Sequence, residues 1–336
     1  GHPMKVSASG HTYEWFGDWA KIPDTESRRA GWAHHGMAVT DDQAVIAFHP
    51  GEPRFLIFDR EGNLLESWDT GLTDAHGMSL VKEGEREFLW VADPGAKRLP
   101  ELSYEYAPGP RKGRLVKMDM SGGVVQELVK PHMEAYREGM FSPTSVTAFQ
   151  RQHGGNGDVW AADGYGQSYV HRYSHSGEHL AVLKGEEGAG RFNCPHSVFV
   201  DTRKPDPELY LADRANSRIQ VYDLEGRFKR AFGQDFLTTP SAFTVAGEML
   251  VVAELRARLT LLDPEDRLIG YLGENEEVCN LPGWPNSRDE DGPPTPSRNL
   301  EPGKFNSPHG VAADADGNLY VGEWLIGGRY TKLVRL

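Results

Sequence analysis

The chain has 336 residues, a length that allows one large domain or two, and a formal net charge of −13. This acidic balance argues against a nucleic-acid partner, because binding to a polyanion requires a basic face. The sequence contains no apolar run of about 18 residues, so we expect no membrane-spanning segment and no membrane partner.

The chain start and the cysteines bear on the cellular compartment. Gly1-His2-Pro3 before Met4 is typical of a cloning remnant, and no apolar signal region follows it. Two cysteines, Cys194 and Cys279, cannot build a disulfide framework, so two free thiols in a reducing compartment are favoured. A cytoplasmic location is therefore favoured, whereas export stays open if a signal was removed. The sequence does not indicate an oligomeric state.

One pattern of short strands recurs along the chain. A loop precedes a first strand, a second strand often ends in Ala-Asp, and third and fourth strands follow tight turns with Gly, Asn or Asp. Second strands are predicted over residues 44–48, 88–92, 159–162, 209–212, 249–253 and 319–322, and third strands over 55–58, 115–118, 169–173, 219–222, 259–262 and 331–335. The copies begin at His35, His76, Thr144, His196, Ser241 and His309.

Six copies of a four-stranded unit predict an all-β fold, a six-bladed β-propeller. A four-stranded sheet cannot bury both faces alone, whereas stacked blades bury each other's faces. The chain ends inside the third strand of the last copy, and residues 12–16 resemble the fourth strands. We therefore predict that this N-terminal strand joins the last blade and closes the ring, giving one domain over residues 1–336.

The strand directions place the starts of the first strands and the ends of the second strands on one face. Long insertions at residues 94–113, 130–141 and 275–305 fall on the same face. Long loops gathered on one rim of a rigid scaffold commonly carry a functional site. This face is therefore the predicted location of the site.

Histidines alternate at the aligned position. His76, His196 and His309 belong to blades two, four and six, whereas Thr144 and Ser241 stand in blades three and five. Three imidazoles from alternate blades of a six-fold ring suit a metal with three protein ligands and open positions. The alternative is that each histidine is hydrogen-bonded into its own loop. We predict a metal site that holds Zn²⁺ or another divalent transition metal, since imidazole also suits iron, manganese, nickel and copper.

His35 occupies the same position in blade one, with His34 beside it and His49 at the end of the second strand. It is a candidate extra ligand, acid or base, or substrate contact, and a hydrogen-bonded loop histidine is the alternative.

Tyr165 and Arg214 follow the second-strand ends of blades three and four. A tyrosine near a divalent cation can act as a base, and an arginine can clamp a carboxylate with its bidentate fork. Asp163 and Asp213, which precede them, are expected to hold loop backbone. Cys194 is expected to be a small buried residue rather than a ligand.

The residues WAADGY at 160–165, FNCPHS at 192–197 and ADRANSRIQ at 212–220 carry a resemblance. The repeat resembles NHL-type propellers, and these segments resemble the lyase domain of peptidylglycine α-amidating enzymes. The likeness extends over all six blades and is specific in blades two, three, four and six. It implies a zinc ion held by His76, His196 and His309, with Tyr165 and Arg214 assisting cleavage of an α-hydroxyglycine C–N bond.

The chain departs from this family at three points. The family has a His-Arg pair where this chain has His49-Pro50, and Arg54 lies close enough in sequence to stand in for the missing arginine. Gly310 replaces the acidic residue that the family links to a structural calcium, so calcium is not expected. The family's disulfide cysteines are also missing.

Three functions follow as hypotheses. The first is a metal-dependent lyase on a small hydroxylated substrate, with Tyr165 moving a proton, Arg214 anchoring a carboxylate, and His35 and Arg54 completing the catalytic set. The second is a hydrolase or lactonase on the same metal, with His35 or Glu323 as base. The third is a non-enzymatic interaction propeller that binds partners through its long loops.

Overall fold

The structure, a computed structural model, describes residues 4–52 and 54–336. The predicted cloning remnant, residues 1–3, lies outside the described residues. Two compact units are present: unit 1 contains the described part of residues 1–74 with 97–108 and 241–336, and unit 2 contains 75–96 and 109–240. The single domain over residues 1–336 stays a prediction. In the described part of the chain, no helix combines the length and apolar character needed to cross a membrane.

The first half of the chain supplies the elements of the first three blades and the N-terminal strands. In chain order they are β1 (Met4–Ala8), β2 (His11–Phe16), α1 (Glu26–Ala30), β3 (Trp32–Ala33), β4 (Ala38–Val39), β5 (Val45–His49), β6 (Arg54–Phe58), β7 (Leu64–Asp69), β8 (Met78–Glu83), β9 (Arg86–Asp93), β10 (Arg98–Leu99), β11 (Glu105–Tyr106), β12 (Arg114–Asp119), β13 (Val124–Leu128), β14 (Ser145–Ala148), β15 (Val159–Ala162), β16 (Val170–Tyr173) and β17 (His179–Leu183).

The second half supplies the remaining blades. Its elements are β18 (Pro195–Asp201), β19 (Glu208–Asp213), β20 (Arg218–Tyr222), β21 (Phe228–Phe232), β22 (Pro240–Ala246), β23 (Met249–Glu254), β24 (Arg258–Leu262), β25 (Leu268–Leu272), β26 (Pro308–Ala313), β27 (Leu319–Glu323), β28 (Leu325–Ile326) and β29 (Tyr330–Arg335). Short 3₁₀ segments lie at Pro100–Leu102, Glu134–Tyr136, Arg151–His153, Arg214–Asn216 and Glu276–Asn280.

The strands form antiparallel sheets in the predicted order. In unit 1 the sheets are β4-β5-β6-β7, β22-β23-β24-β25 and the five-stranded β1-β2-β29-β27-β26, with small pairs β10-β11 and β28-β3. In unit 2 they are β8-β9-β12-β13, β14-β15-β16-β17 and β18-β19-β20-β21. These sheets are the blades of a six-bladed β-propeller, so the predicted all-β fold class is confirmed.

Second and third strands such as β23 and β24 are easy to recognise in the sequence because they are buried along their whole length. β23 and β24 contain continuous runs of buried residues, whereas the outer strand β25 is exposed at its first residue and only partly buried along most of its length. Continuous apolar runs are typical of strands covered on both faces. Each predicted second and third strand is therefore found within two residues of its expected bounds.

Aspartates fix many of the turns between third and fourth strands. Oδ1 of Asp263, for example, accepts the backbone N–H groups of Glu265 and Arg267 at 2.9 Å each. An Asx side chain that binds backbone two and four residues on stabilises a tight turn. Asp59, Asp119 and Asp223 make the same contacts in their blades.

The N-terminal strand joins the last blade as predicted. β2 pairs antiparallel with β29, with Trp15 opposite Leu333, and the ring centroid of Trp15 lies 4.8 Å from that of Phe305. β1, which the sequence analysis did not predict, adds a fifth strand outside β2. The last blade thus draws strands from both ends of the chain.

Neighbouring blades bury each other's faces within each unit. In unit 1 one core cluster joins Leu259 and Leu272 of blade five to Val311 and Leu333 of blade six. In unit 2 comparable clusters join blades two and three, and blades three and four. This is the packing that makes a stack of sheets stable when a single sheet is not.

Candidate metal centre

Four imidazoles make up the candidate metal centre. Among the described residues, His34, His76, His196 and His309 each offer a ring nitrogen, and these atoms all lie within 4.8 Å of one another. His34 is half-buried and the other three are buried. The group contains all three histidines that the sequence predicted as ligands, and it adds His34.

His76 and His196 of unit 2 share a neighbour, Tyr165. Its hydroxyl lies 3.1 Å from Nε2 of His76 and 3.1 Å from Nε2 of His196. The ring centroids of the two histidines are 4.7 Å apart. Nδ1 of His76 lies 2.6 Å from the carbonyl oxygen of Thr144. Because a carbonyl only accepts, Nδ1 carries the hydrogen and Nε2 of the neutral ring carries the lone pair.

His309 of unit 1 has the same tautomer for the same reason, and His34 lies beside a carboxylate. Nδ1 of His309 donates to the carbonyl oxygen of His35 at 3.0 Å, and Nδ1 of His34 lies 3.3 Å from Oδ2 of Asp74. The centroids of the two rings are 4.4 Å apart. A histidine that donates Nδ1–H to a carbonyl or carboxylate is the usual form of a metal ligand, since this contact orients the ring and raises its basicity.

The donor set fits a divalent transition metal. Neutral imidazole nitrogens suit zinc, and tetrahedral Zn–N bonds of about 2.05 Å place ligand nitrogens about 3.4 Å apart. The ring nitrogens lie up to 4.8 Å apart, so the largest nitrogen–nitrogen distance has to decrease by about 1.4 Å when an ion binds. Small rotations about the side-chain torsions of these residues supply movements of that size.

Carboxylates at the second-strand ends hold the loops that lead to these histidines. Oδ1 of Asp213 accepts the N–H of Asn193 at 2.8 Å, three residues before His196. Oε2 of Glu323 accepts the N–H groups of Asn306 and Ser307 at 2.7 and 2.9 Å, just before His309. The expectation that acids at this position bind loop backbone is therefore met.

Arg214 lies beside Tyr165 in unit 2. The carbon at the centre of its guanidinium lies 5.8 Å from the centroid of the Tyr165 ring, and the guanidinium hydrogen-bonds to the side chains of Tyr165 and Cys194. Burial lowers the pKa of Arg214, but these neighbours outweigh burial and raise it. In the described chain no carboxylate forms an ion pair with Arg214. Its positive charge therefore acts on the phenol of Tyr165 and is available to an anionic ligand group bound beside it.

A buried network holds the loop that carries Tyr165. Asp163 accepts the N–H of Ser142 at 2.7 Å through Oδ1, and its Oδ2 accepts the hydroxyl of Tyr136 at 2.6 Å. The Tyr136 oxygen lies 2.7 Å from Nε2 of His171, whose Nδ1 lies 3.0 Å from Nε2 of His179. Burial lowers the pKa of His171 to about 3, so this ring is neutral at physiological pH.

His35, predicted as a catalytic residue, is not one of the four grouped histidines. Its side chain is 1% exposed, and neither ring nitrogen has a hydrogen-bond partner among the described residues. Its ring stacks on Tyr330 with centroids 5.1 Å apart. Burial, and then the neighbouring imidazoles of His49, His309 and His34, lower its pKa well below the ordinary value. Its visible contribution is the backbone carbonyl that orients His309.

Three further candidates make contacts within their own blades or with neighbouring loops. Arg54 is half-exposed and pairs with Asp69 across β6 and β7, its Nε lying 2.9 Å from Oδ1. Glu323 is buried, with Nε of Arg329 at 2.5 Å from Oε1. Nδ1 of His49 accepts the N–H of Gly51 at 3.1 Å, and burial, then Arg28, lowers its pKa to about 4. The catalytic role of Arg54 stays a prediction.

Sequence reasoning missed His34 and Asp74 as parts of the site. The signal for His34 was the pair His34-His35, of which the strand alignment selected the second member. Asp74 stands two residues before His76, yet it contacts His34 in space. Both predicted free thiols are found, since Cys194 and Cys279 are unpaired. Burial raises the pKa of the Cys194 thiol, although the residue is only partly buried and its side chain hydrogen-bonds to Arg214.

Comparison with known proteins gives two kinds of relative. NHL repeat-containing protein 3 of Mus musculus is 29% identical over 227 residues, which cover 65% of this chain and 60% of that protein. Its Homo sapiens counterpart is 28% identical over 68% of this chain and 63% of that protein. The chain thus matches less than two thirds of the length of these relatives. No protein-family profile matches the sequence.

The second relative is the peptidyl-glycine alpha-amidating monooxygenase of Mus musculus, 23% identical over 74% of this chain and 22% of that protein. Among solved structures, a streptogramin B lyase superimposes with a TM-score of 0.57 at 13% identity, covering 98% of this chain and all of the other. At that identity the likeness shows the fold alone. The chain is therefore a six-bladed β-propeller whose homologues are NHL repeat-containing proteins.

Proposed function

We propose that the protein is a metal-dependent lyase that cleaves a C–N bond in a small hydroxylated substrate. The observation that carries this proposal is the group of four imidazoles with Tyr165 hydrogen-bonded to two of them. The likeness to the amidating monooxygenase supports it. Partners and cofactor are proposed accordingly: one small-molecule substrate and one Zn²⁺ or similar divalent ion.

The ion would be held by the Nε2 lone pairs of His34, His76, His196 and His309. A divalent cation supplies Lewis-acid chemistry, which polarises an oxygen and makes a hydroxyl easier to deprotonate. The ring contacts to the carbonyls of Thr144 and His35 and to Asp74 keep the lone pairs available.

The chain's own residues would move the proton and bind charge. The substrate hydroxyl loses its proton to Tyr165, the freed electron pair forms a C=O bond, and the C–N bond breaks. The departing amide nitrogen takes a proton back from Tyr165, so atoms and charge balance. Arg214 favours the anionic form of the phenol and binds the carboxylate of the substrate.

The hydrolase alternative has less support. One of its two candidate bases, Glu323, accepts backbone N–H groups and an arginine, which leaves it poorly placed to accept another proton. His35 is the second candidate base. Its buried ring lacks hydrogen-bond partners in residues 4–52 and 54–336, and burial lowers its pKa well below the ordinary value, which makes it a weak base. The interaction-propeller alternative predicts no tightly held metal.

N-Benzoyl-α-hydroxyglycine tests the proposal because each reaction gives a different product. Lyase cleavage yields benzamide and glyoxylate, whereas amide hydrolysis yields benzoate carrying an oxygen atom from the solvent. We expect benzamide to form faster than in the absence of protein. Benzoate labelled from H₂¹⁸O would instead identify a hydrolase, and no product above background would overturn the proposal for this substrate class.

Tyr165→Phe tests the proton carrier. We expect turnover to fall by about 100-fold, as for loss of a general acid–base group, with metal content unchanged. Tyr169→Phe is the matched control, because Tyr169 follows closely in the chain and its ring contacts Lys184 and His171, neither of which belongs to the four grouped histidines. Equal turnover in the two variants would remove Tyr165 from the mechanism.

A further inference from the structure

Unit 1 contains a cavity of about 500 Å³ beside the N-terminal helix α1. Trp32, Pro50 and Leu99 form part of its wall, and Lys97 and Arg98 bring two positive charges to it. Lys97 to Glu101 come from the insertion that the sequence analysis placed on the functional face. A volume of this size is typical of small-molecule sites.

The two cations of this cavity contact backbone carbonyl oxygens. Nζ of Lys97 donates to the carbonyl oxygen of Pro50 at 2.9 Å, and Nη1 of Arg98 donates to that of Tyr104 at 3.2 Å. Among residues 4–52 and 54–336, no carboxylate forms a salt bridge with either. Nε of Arg98 is buried and has no hydrogen-bond partner in the same residues. Burying a charged donor without an acceptor costs free energy, so we expect a ligand to supply a negatively charged acceptor here.

Aromatic rings fix the guanidinium in place. The central carbon of Arg98 lies 5.1 Å from the ring centroid of Trp32 and 4.7 Å from that of Tyr106. Cation–π contacts of this kind hold an arginine in one orientation, so little entropy is lost when its fork binds a carboxylate. The cavity is therefore prepared for a planar anion.

A second, smaller cavity of unit 1 lies between this region and His34. It shares Trp32, Lys97 and Arg98 with the first cavity and is also lined by His34 and Asp74. Oδ2 of Asp74 lies 3.3 Å from Nδ1 of His34. Lys97 and Arg98 thus line the larger cavity and also the smaller cavity that reaches His34, a residue of the metal group.

We propose that this cavity, the Lys97–Arg98 pocket, binds a carboxylate on the part of the substrate remote from the reacting hydroxyl. An apolar, flat group next to that carboxylate packs against Pro50, Leu99 and Trp32. Exposed Glu26 and Glu101 line the same cavity, so the pocket is expected to accept one carboxylate group rather than a polyanionic one. The proposal deepens the proposed function and rests on it for the connection to the metal.

The test uses 3-phenylpropionate and its neutral isostere 3-phenylpropionamide, titrated into the 336-residue chain and followed by calorimetry. We expect the acid to bind and Arg98→Gln to weaken it about tenfold, the usual loss for one charge-assisted hydrogen-bond pair. Lys97→Gln should weaken it less, and Arg98→Lys should recover part of the affinity. Arg267→Gln is the matched control, because it removes an exposed arginine of the same unit that is already paired, its Nε lying 3.0 Å from Oδ2 of Asp263.

Several outcomes would overturn the proposal that this pocket binds a carboxylate. They are equal affinity for acid and amide, an unchanged affinity in Arg98→Gln, or no saturable binding of the acid at about 10 mM. If Arg98→Gln fails to fold in thermal melting, Lys97→Gln and Arg98→Lys still decide. His196→Ala separates this proposal from the metal: it should lose metal yet bind 3-phenylpropionate as the parent does.

Discussion

Two buried histidines, one in each unit, show how differently an imidazole can be used in this fold. His171 of unit 2 and His35 of unit 1 are both at most 1% exposed, and burial lowers the pKa of both. Both nitrogens of His171 have partners, the hydroxyl of Tyr136 and the ring of His179. Neither nitrogen of His35 has a partner in the described chain, and its ring stacks on Tyr330.

The two histidines differ in whether the protein satisfies their ring nitrogens, and this separates a structural role from a possible contact with a ligand. A fully satisfied buried network fixes one conformation, and that of His171 ends on Asp163 beside the loop of Tyr165. Buried polar atoms without protein partners are instead where ordered water or a ligand is expected. His171 therefore belongs to the scaffold, whereas the two ring nitrogens of His35 stay candidates for a contact with water or a ligand.

The largest expected effect comes from removing the hydroxyl that bridges this network. Tyr136→Phe leaves both Asp163 and His171 short of a partner, and should lower the free energy of unfolding by about 3 kcal/mol. Tyr173→Phe is the control, because the Tyr173 hydroxyl is equally buried but has no partner in the described residues. Urea unfolding measures both, and similar losses would contradict the network.

Replacing each histidine by leucine compares the two regions directly. His171→Leu deletes two hydrogen bonds and should cost about 2–3 kcal/mol, whereas His35→Leu deletes none and should cost about 1 kcal/mol for the lost packing. Chemical unfolding of both variants gives the difference. An equal or larger cost for His35→Leu would show that its ring is held by interactions as strong as those of His171.

The network also predicts a pH dependence of stability. The pKa of His171 is about 3 in the folded chain, against an ordinary value of 6.5, so the unfolded chain binds more protons between these values. Stability therefore falls as pH drops below 6.5, by about 2 kcal/mol at pH 5 from this residue alone. His171→Leu should lose that part of the pH dependence, which unfolding at about pH 7.5 and pH 5 measures. An unaltered pH profile in the variant would contradict the lowered pKa.

The smallest effect is expected at Arg54. Its ion pair with Asp69 is exposed, and such pairs contribute about 0–0.5 kcal/mol. Arg54→Gln should therefore leave the melting temperature and the metal content unchanged. A large loss of turnover in this variant would instead support the role that the sequence resemblance gives it.

The fold could be predicted because its signals are local and repeated. Buried runs such as β23 and turn residues such as Asp263 recur in several blades and set the strand order without knowledge of distant contacts. The three histidines His76, His196 and His309 were found for the same reason, since each starts a repeat at the same position.

The remaining parts of the site depend on side-chain direction and on loops. The sequence cannot decide whether His34 or His35 reaches the metal group, because the backbone before the short strand β4 determines it. Tyr136, which completes the His171 network, comes from an insertion without a counterpart in other blades. Lys97 and Arg98 likewise lie in an insertion, so the repeat gives no indication of their pocket.

Metal content is the most direct test of the account. The parent protein, freed of loosely bound ions by chelator and then exposed to zinc, should carry about one transition metal per chain by elemental analysis. His196→Ala should carry little, while Tyr169→Phe should match the parent. A parent that neither retains nor takes up metal would contradict the four-histidine centre, and with it the proposed lyase.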